Sequence, residues 1–164
     1  MKLYFYVFFV LIFAFQACEK KVDNRFANTW YDTEYRILGS STLQIKKDFT
    51  FNYKAAGCTW SSISKGNWKV LGDTIELNST NVDTCYTILP FVICPKSGKY
   101  NNKTNLTTIP NCTAESKTVY IEFKNEKFYL RNDSLIYKLK ENSNCPESLR
   151  IVFAKTGKTR KKSN

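Results

Sequence analysis

Residues 66–77 read Gly66-Asn67-Trp68-Lys69-Val70-Leu71-Gly72-Asp73-Thr74-Ile75-Glu76-Leu77. Apolar and polar side chains alternate on both sides of the Gly72-Asp73 pair, and period two is the signature of a half-buried β-strand. A Gly-Asp pair between two such runs is a strong hairpin signal, because glycine readily adopts the positive φ of tight hairpin turns. This stretch therefore predicts two antiparallel strands joined by a two-residue turn.

The same alternation recurs in short segments along most of the chain. Further candidate strands run from Trp30 to Leu38, from Leu43 to Ile45, from Phe49 to Tyr53 and from Leu149 to Phe153. Helical periodicity does not extend beyond a turn or two. Many short strands with hairpin-length connections predict an all-β fold, a small antiparallel meander barrel of about eight to nine strands.

The C-terminal half predicts additional hairpins and one interruption. Residues Val119–Phe123 should pair with Phe128–Leu130 across Asn125-Glu126, and a second turn falls at Asn132-Asp133. The interruption is a long loop insertion at residues 79–117. Loops of this length in a compact domain are usually either functional or disordered.

The first eighteen residues have the form of an export signal that ends at a lipidation site. Met1-Lys2 is a short positive region, Leu3 to Phe15 is apolar, and Ala17 directly precedes Cys18. The apolar run is too short for a membrane-spanning helix, which needs about 20 residues. We expect residues 1–17 to be a lipoprotein signal peptide and 18–25 a lipidated tether. The alternative is a soluble secreted protein in which Cys18 joins a disulfide.

The remaining chain has the length of one domain, predicted as a barrel over residues 26–154. The protein has a net charge of +11, which favours anionic partners in general. Export argues against nucleic acid and places the protein in the cell envelope, at the outer membrane. The basic tail, 155–164, is predicted to be disordered and solvated, with contact to an anionic surface as the alternative. Its cationic side chains are Lys155, Lys158, Arg160, Lys161 and Lys162.

The cysteines beyond Cys18 indicate an oxidising compartment. They are Cys58, Cys85, Cys94, Cys112 and Cys145. They form no C-x-x-C pair, and the chain has no histidine, so neither a metal site nor a cofactor is expected. Five cysteines allow two disulfides and leave one unpaired. The favoured pair is Cys94 with Cys112, because it would close a turn-rich loop at a gain of about 3 kcal/mol.

The absence of histidine also removes Ser-His-Asp, Cys-His and imidazole acid–base chemistry. A hydrolase with paired carboxylates is the weakest hypothesis, since acidic residues such as Asp48 and Asp133 stand singly at turns. We therefore predict no catalytic residues and no enzymatic activity.

Trp60 is the candidate ligand-contacting residue. Trp30 and Trp68 lie on strand patterns typical of a core, whereas Trp60 follows Cys58 outside a clear strand pattern. It could pack beside a disulfide, or it could line the mouth of a cup and stack on a ligand such as a sugar.

A family resemblance rests on three groups of residues. They are Trp30, the run Thr42-Leu43-Gln44-Ile45 leading to Asp48-Phe49-Thr50-Phe51, and the hairpin of residues 66–77. Together they resemble the lipocalin-like domains of small lipoproteins from Bacteroidetes-type bacteria, best over Phe26 to Asn78. The resemblance implies a small antiparallel barrel in a family whose members mostly have no known activity.

Two functions follow as expectations. The first is a membrane-anchored envelope protein whose barrel binds a small ligand, a glycan or an envelope protein without catalysis. The second is a structural or assembly-related lipoprotein with a filled core, whose basic surface contacts anionic lipid or polysaccharide.

Overall fold

The computed structural model describes residues 25–35, 39–94, 106–115, 117–141, 143–156 and 161–162. These residues form twelve strands and no helix. In chain order the strands are β1 (Asn28–Asp32), β2 (Glu34–Tyr35), β3 (Gly39–Ile45), β4 (Thr50–Gly57), β5 (Ser61–Leu71), β6 (Thr74–Ser79), β7 (Thr87–Pro90), β8 (Thr118–Glu122), β9 (Glu126–Arg131), β10 (Ser134–Lys138), β11 (Val152–Ala154) and β12 (Lys161–Lys162).

Eight of these strands close into an up-and-down barrel. The order around it is β1-β3-β4-β5-β6-β9-β10-β11, every neighbouring pair is antiparallel, and β11 pairs with β1 to complete the circle. Closure gives each of these strands two partners, so its backbone N–H and C=O groups are satisfied inside the sheet. The predicted all-β antiparallel meander barrel is confirmed.

The turns follow from residues that accept positive φ. Gly72 has φ of 63° in the β5–β6 turn, at the first central position where a type II′ hairpin takes glycine. Asn132 and Asp133 have φ of 49° and 56° in the β9–β10 turn, the pair of positive values that defines type I′. Phe49, with φ of 62°, is the unusual case, because a bulky side chain is strained in this conformation.

A short extension leaves the barrel at β5. Strand β8 lies parallel to the start of β5 at Ser61–Ile63, and β7 lies parallel to β8. The predicted hairpin between Val119–Phe123 and Phe128–Leu130 is therefore wrong. Phe123 turns into the core instead, and its backbone hydrogen-bonds to Ser79, which separates β8 from β9.

The disulfides connect the long insertion differently from the expected pairing. Cys85 bonds to Cys112, and Cys94 bonds to Cys145, so the pair Cys94–Cys112 is wrong. Thr107 forms a bridge beside Thr87, which brings the returning chain, and with it Cys112, back to Cys85. Among the described residues Cys58 is the free cysteine, and it is exposed at the tip of the β4–β5 hairpin. Cys18 lies outside the described residues.

Large apolar side chains fill the barrel interior. Inward positions alternate along each strand, as with Leu43 and Ile45 on β3 and Leu135 and Tyr137 on β10. Phe91, from the segment after β7, adds a ring that stacks on Phe123 with centroids 4.3 Å apart. Packing rather than open space therefore occupies the middle of the barrel.

The structure describes four residues of the basic C-terminal segment, Lys155, Thr156, Lys161 and Lys162. The ammonium group of Lys155 donates to the Asp133 carboxylate at 2.8 Å and lies 5.9 Å from the Trp30 ring centroid. Lys161–Lys162 form β12, which pairs in parallel with β2. Lys158 and Arg160 lie outside the described residues.

Candidate functional site at the open end of the barrel

The two ends of the barrel are built differently. The closed end is the cluster Phe26, Trp30, Phe49 and Trp68, in which Phe26, Trp30 and Trp68 are at most 3% exposed. The indole N–H of Trp30 donates to the Phe26 carbonyl at 2.9 Å, and that of Trp68 donates to the Lys46 carbonyl at 2.8 Å. Both indole N–H groups of this end are thus satisfied within the protein.

The opposite end keeps a cavity of about 230 Å³, which we call the mouth cavity. Residues from the ends of β1, β3, β4 and β11, from the β4–β5 turn and from the segment after β7 line it. They are Asp32, Gly39, Ser40, Ser41, Tyr53, Ala55, Trp60, Phe91, Arg150, Ile151, Val152 and Phe153.

Trp60 stands at the rim of the mouth cavity because of a tight turn. Gly57 donates its backbone N–H to the Trp60 carbonyl at 2.9 Å, so the chain reverses over Cys58 and Thr59. The indole ring then lies against Gly39, where a Cβ atom would be 2.8 Å from its Cζ2 atom. Glycine at position 39 therefore makes room for the ring.

Trp60 differs from the other two tryptophans in its polar group. It is half-buried, and none of the described residues accepts a hydrogen bond from its indole N–H. A donor with no protein partner beside an apolar ring is an arrangement that suits a ligand with both apolar and polar surfaces.

The floor of the mouth cavity combines aromatic rings with a polar hydroxyl group. The Tyr53 ring packs edge-on against Phe91 with centroids 6.0 Å apart. Burial raises the pKa of the Tyr53 hydroxyl; a hydrogen bond with Ser41 opposes the rise and the Asp32 carboxylate adds to it. The hydroxyl is therefore a neutral donor at physiological pH.

Arg150 brings a positive charge to the rim. Its side chain is exposed, and the part of the chain that the structure describes offers it no ion pair. The Cys94–Cys145 disulfide holds the surrounding segments together: Cys94 follows Phe91 by three residues, and Cys145 precedes Arg150 by five. One covalent link thus connects the floor and the rim.

A larger hollow of about 380 Å³ lies on the outside of β4 and β5, under residues 82–86. The hydroxyl of Tyr120 in its wall lies 2.9 Å from the Lys65 carbonyl and 2.7 Å from the Thr80 carbonyl, so its one proton is already engaged by the protein. Since the Tyr120 hydroxyl of this hollow is engaged within the protein, we regard the mouth cavity as the better candidate site.

Two buried carboxylates among the described residues, Glu76 and Glu126, lie outside both cavities. Glu126 is 4% exposed, accepts a hydrogen bond from the Tyr137 hydroxyl at 2.7 Å and pairs with Lys140 at 2.6 Å. Burial and the Glu126 carboxylate together raise the pKa of Tyr137 well above its ordinary value. The described residues include no group of three or more Cys, Asp or Glu that could hold a metal ion.

The structure brings one predicted site residue, Trp60, to the mouth cavity, with Cys58 two residues away. It places Lys155 at the closed end, away from this cavity, whereas Lys158 and Arg160 lie outside the described residues. Sequence reasoning missed Asp32, Tyr53 and Arg150 because they come from three distant segments. The only available signal was the period of two, which puts Tyr53 on the same inward face as Phe51.

Comparison with known proteins gives no relative: no family model, no curated protein and no solved structure matches the chain. The likeness to lipocalin-like lipoproteins thus stays a prediction. None of the described residues belongs to a helix long and apolar enough to cross a membrane.

Proposed function

We propose that this chain is a lipid-anchored envelope protein whose barrel binds a small ligand at its open end without catalysing a reaction. The observation that carries the proposal is the contrast between Trp60 and the other tryptophans. Trp30 and Trp68 are buried with their N–H groups satisfied, whereas Trp60 lines the mouth cavity and its N–H has no partner among the described residues. Aromatic surface with a few convergent polar groups is typical of ligand sites.

The test is a thermal-shift screen of lipids, glycans and small metabolites on the protein purified from cells that express the full-length chain. A ligand at one hundred times its Kd stabilises the folded state by about 2.7 kcal/mol, which raises Tm. Trp60→Ala should remove the shift. Tyr129→Ala is the control, since Tyr129 is a half-buried aromatic residue outside the mouth cavity. Shifts that survive Trp60→Ala would contradict the proposal.

The anchoring part of the proposal rests on Ala17-Cys18 and on the two disulfides, which are typical of exported proteins. Mass spectrometry of the mature N-terminus should find an acylated Cys18. Cys18→Ser should move the protein from the membrane fraction to the soluble fraction. An unmodified N-terminus that begins elsewhere would contradict the anchor and would leave the ligand site untouched.

The filled interior favours a second candidate, the structural lipoprotein whose basic surface contacts anionic lipid or polysaccharide. Phe91 and Phe123 occupy the space that an open cup would offer to a ligand. Salt-sensitive retention on vesicles with anionic headgroups, lost when residues 155–164 are deleted, would support it. Equal retention of the intact and shortened chains would count against it.

A further inference from the structure

We propose that the ligand of the mouth cavity is an acidic monosaccharide unit, that is, a single sugar ring that carries a carboxylate. This inference rests on the proposed ligand-binding function and deepens it. It is drawn from the size of the cavity, the chemistry of Trp60 and the charges of Asp32 and Arg150.

The size of the cavity limits the enclosed part of the ligand to about one ring. Its volume of about 230 Å³ lies below the range of roughly 300–1,000 Å³ that pockets for drug-sized ligands occupy. Phe91 stacks on Phe123 and packs edge-on against Tyr53, so no channel continues from the floor into the barrel. A long acyl chain therefore has no space, whereas a sugar ring does.

Trp60 supplies the surface that a sugar ring needs. The apolar C–H face of a sugar packs on an aromatic ring, while its hydroxyl groups require hydrogen-bond partners around the edge. The Trp60 indole offers both, a ring at the rim and an N–H without a partner among the described residues. The Tyr53 hydroxyl and the Ser41 side chain add groups below it.

Asp32 and Arg150 would contact different polar groups of the ligand. A carboxylate such as that of Asp32 has about four acceptor positions, so it can accept from ring hydroxyls alongside its contacts within the protein. Arg150 presents a planar guanidinium, whose geometry matches a carboxylate bidentately. A ligand with both hydroxyls and a carboxylate uses both residues. A neutral sugar leaves Arg150 unused, and an aromatic acid offers Asp32 no hydroxyl to accept from.

The experiment compares three probes by calorimetry on protein purified from cells that express the full-length chain. Glucuronate carries a ring, hydroxyls and a carboxylate; glucose lacks the carboxylate; benzoate lacks the hydroxyls. We expect glucuronate to bind at least tenfold more tightly than either of the others, since a charge-assisted hydrogen bond is about twice as strong as a neutral one. Equal affinity for glucuronate and glucose, or tighter binding of benzoate, would overturn the inference.

Variants separate recognition by Arg150 from the general attraction of a basic protein for anions. Arg150→Gln should reduce glucuronate affinity about tenfold and leave glucose unchanged, while Arg150→Lys should retain part of the preference. Lys47→Gln is the matched control, because Lys47 is an exposed cation in the β3–β4 turn at the closed end. An equal loss in Arg150→Gln and Lys47→Gln would overturn the inference.

The same measurements distinguish this inference from the proposed function. One possible result is that benzoate binds, that Trp60→Ala abolishes this binding, and that glucuronate does not bind. The mouth cavity would then be a ligand site, and only the assignment of the ligand as a sugar would fail. If no probe or library compound depends on Trp60, the proposed function itself fails. Methyl glucuronide tests the source of the sugar. If its affinity equals that of glucuronate, the ligand is the end of a glycan chain; if its affinity is lost, the ligand is the free acid. Both results support the inference.

Discussion

The closed end and the open end of this barrel use tryptophan in opposite ways. At the closed end, Trp30 and Trp68 are buried, and each indole N–H donates to a backbone carbonyl less than 3 Å away. At the open end, Trp60 is half-buried and its N–H has no partner among the described residues. The two tryptophans of the closed end thus have their polar groups satisfied within the fold, whereas the N–H of Trp60 is left to solvent or, as we propose, to a ligand.

Truncation of the two kinds of tryptophan should give the largest contrast. Trp30→Ala should lower the free energy of unfolding by about 3–5 kcal/mol, because it leaves a cavity in a packed core. Trp60→Ala should lower it by about 1 kcal/mol, since the side chain is partly solvated. Denaturant unfolding measures both values. Equal losses would show that Trp60 is a core residue like Trp30.

Removal of each disulfide in turn should distinguish an effect on stability from an effect on ligand binding at the open end. Replacement of Cys94 and Cys145 by alanine should lower the free energy of unfolding by about 2–4 kcal/mol and weaken ligand binding, because this link joins the segments of Phe91 and Arg150. Replacement of Cys85 and Cys112 should give a similar loss of stability and leave binding intact, since residues beside these cysteines do not line the mouth cavity. Unfolding curves and calorimetry measure the two effects. Equal effects of the two double variants on binding would remove the link between Cys94–Cys145 and the site.

A substitution at Gly39 tests whether the position of the Trp60 ring depends on the missing side chain at residue 39. A Cβ atom at this position would lie 2.6 Å from the Ala56 carbonyl oxygen and 2.8 Å from Trp60. Gly39→Ala should therefore displace the indole and lower the free energy of unfolding by about 1–3 kcal/mol. A shift in Trp60 fluorescence reports the displacement, and Ser40→Ala, at the exposed neighbouring position, is the control. Unchanged fluorescence in Gly39→Ala would show that the ring does not depend on this contact.

The smallest expected effect appears at alkaline pH. Burial raises the pKa of Tyr53, and burial together with Glu126 raises that of Tyr137, so the folded state retains these protons above pH 10 where the unfolded chain releases them. The stabilisation is complete below pH 10 and is lost as the pH rises, with a slope of at most about 1.4 kcal/mol per pH unit for each tyrosine. Urea unfolding of Tyr137→Phe between pH 9 and 11 should show a shallower slope. An unchanged slope would show that Tyr137 does not contribute to the loss of stability at alkaline pH.

Much of the barrel could be predicted from local patterns. The turns at Gly72-Asp73 and Asn132-Asp133 lie where the alternation is interrupted by residues that accept positive φ. The predicted hairpin between β8 and β9 does not form, because Phe123 between them turns into the core and packs on Phe51 and Tyr53. The disulfide pairing failed for a related reason. Proximity in the sequence favoured Cys94–Cys112, whereas the path of the insertion over the barrel end decides which sulfur atoms meet.

The sequence by itself determined the all-β class, the meander order and most turns, since period-two alternation and turn residues act over a few positions. It also singled out Trp60, but it left open whether that ring packs or binds. The tertiary structure alone decided that Trp60 shares a cavity with Asp32, Tyr53 and Arg150. These residues are brought together by barrel closure and by the Cys94–Cys145 link, and such long-range contacts leave no trace in the local pattern of any one segment.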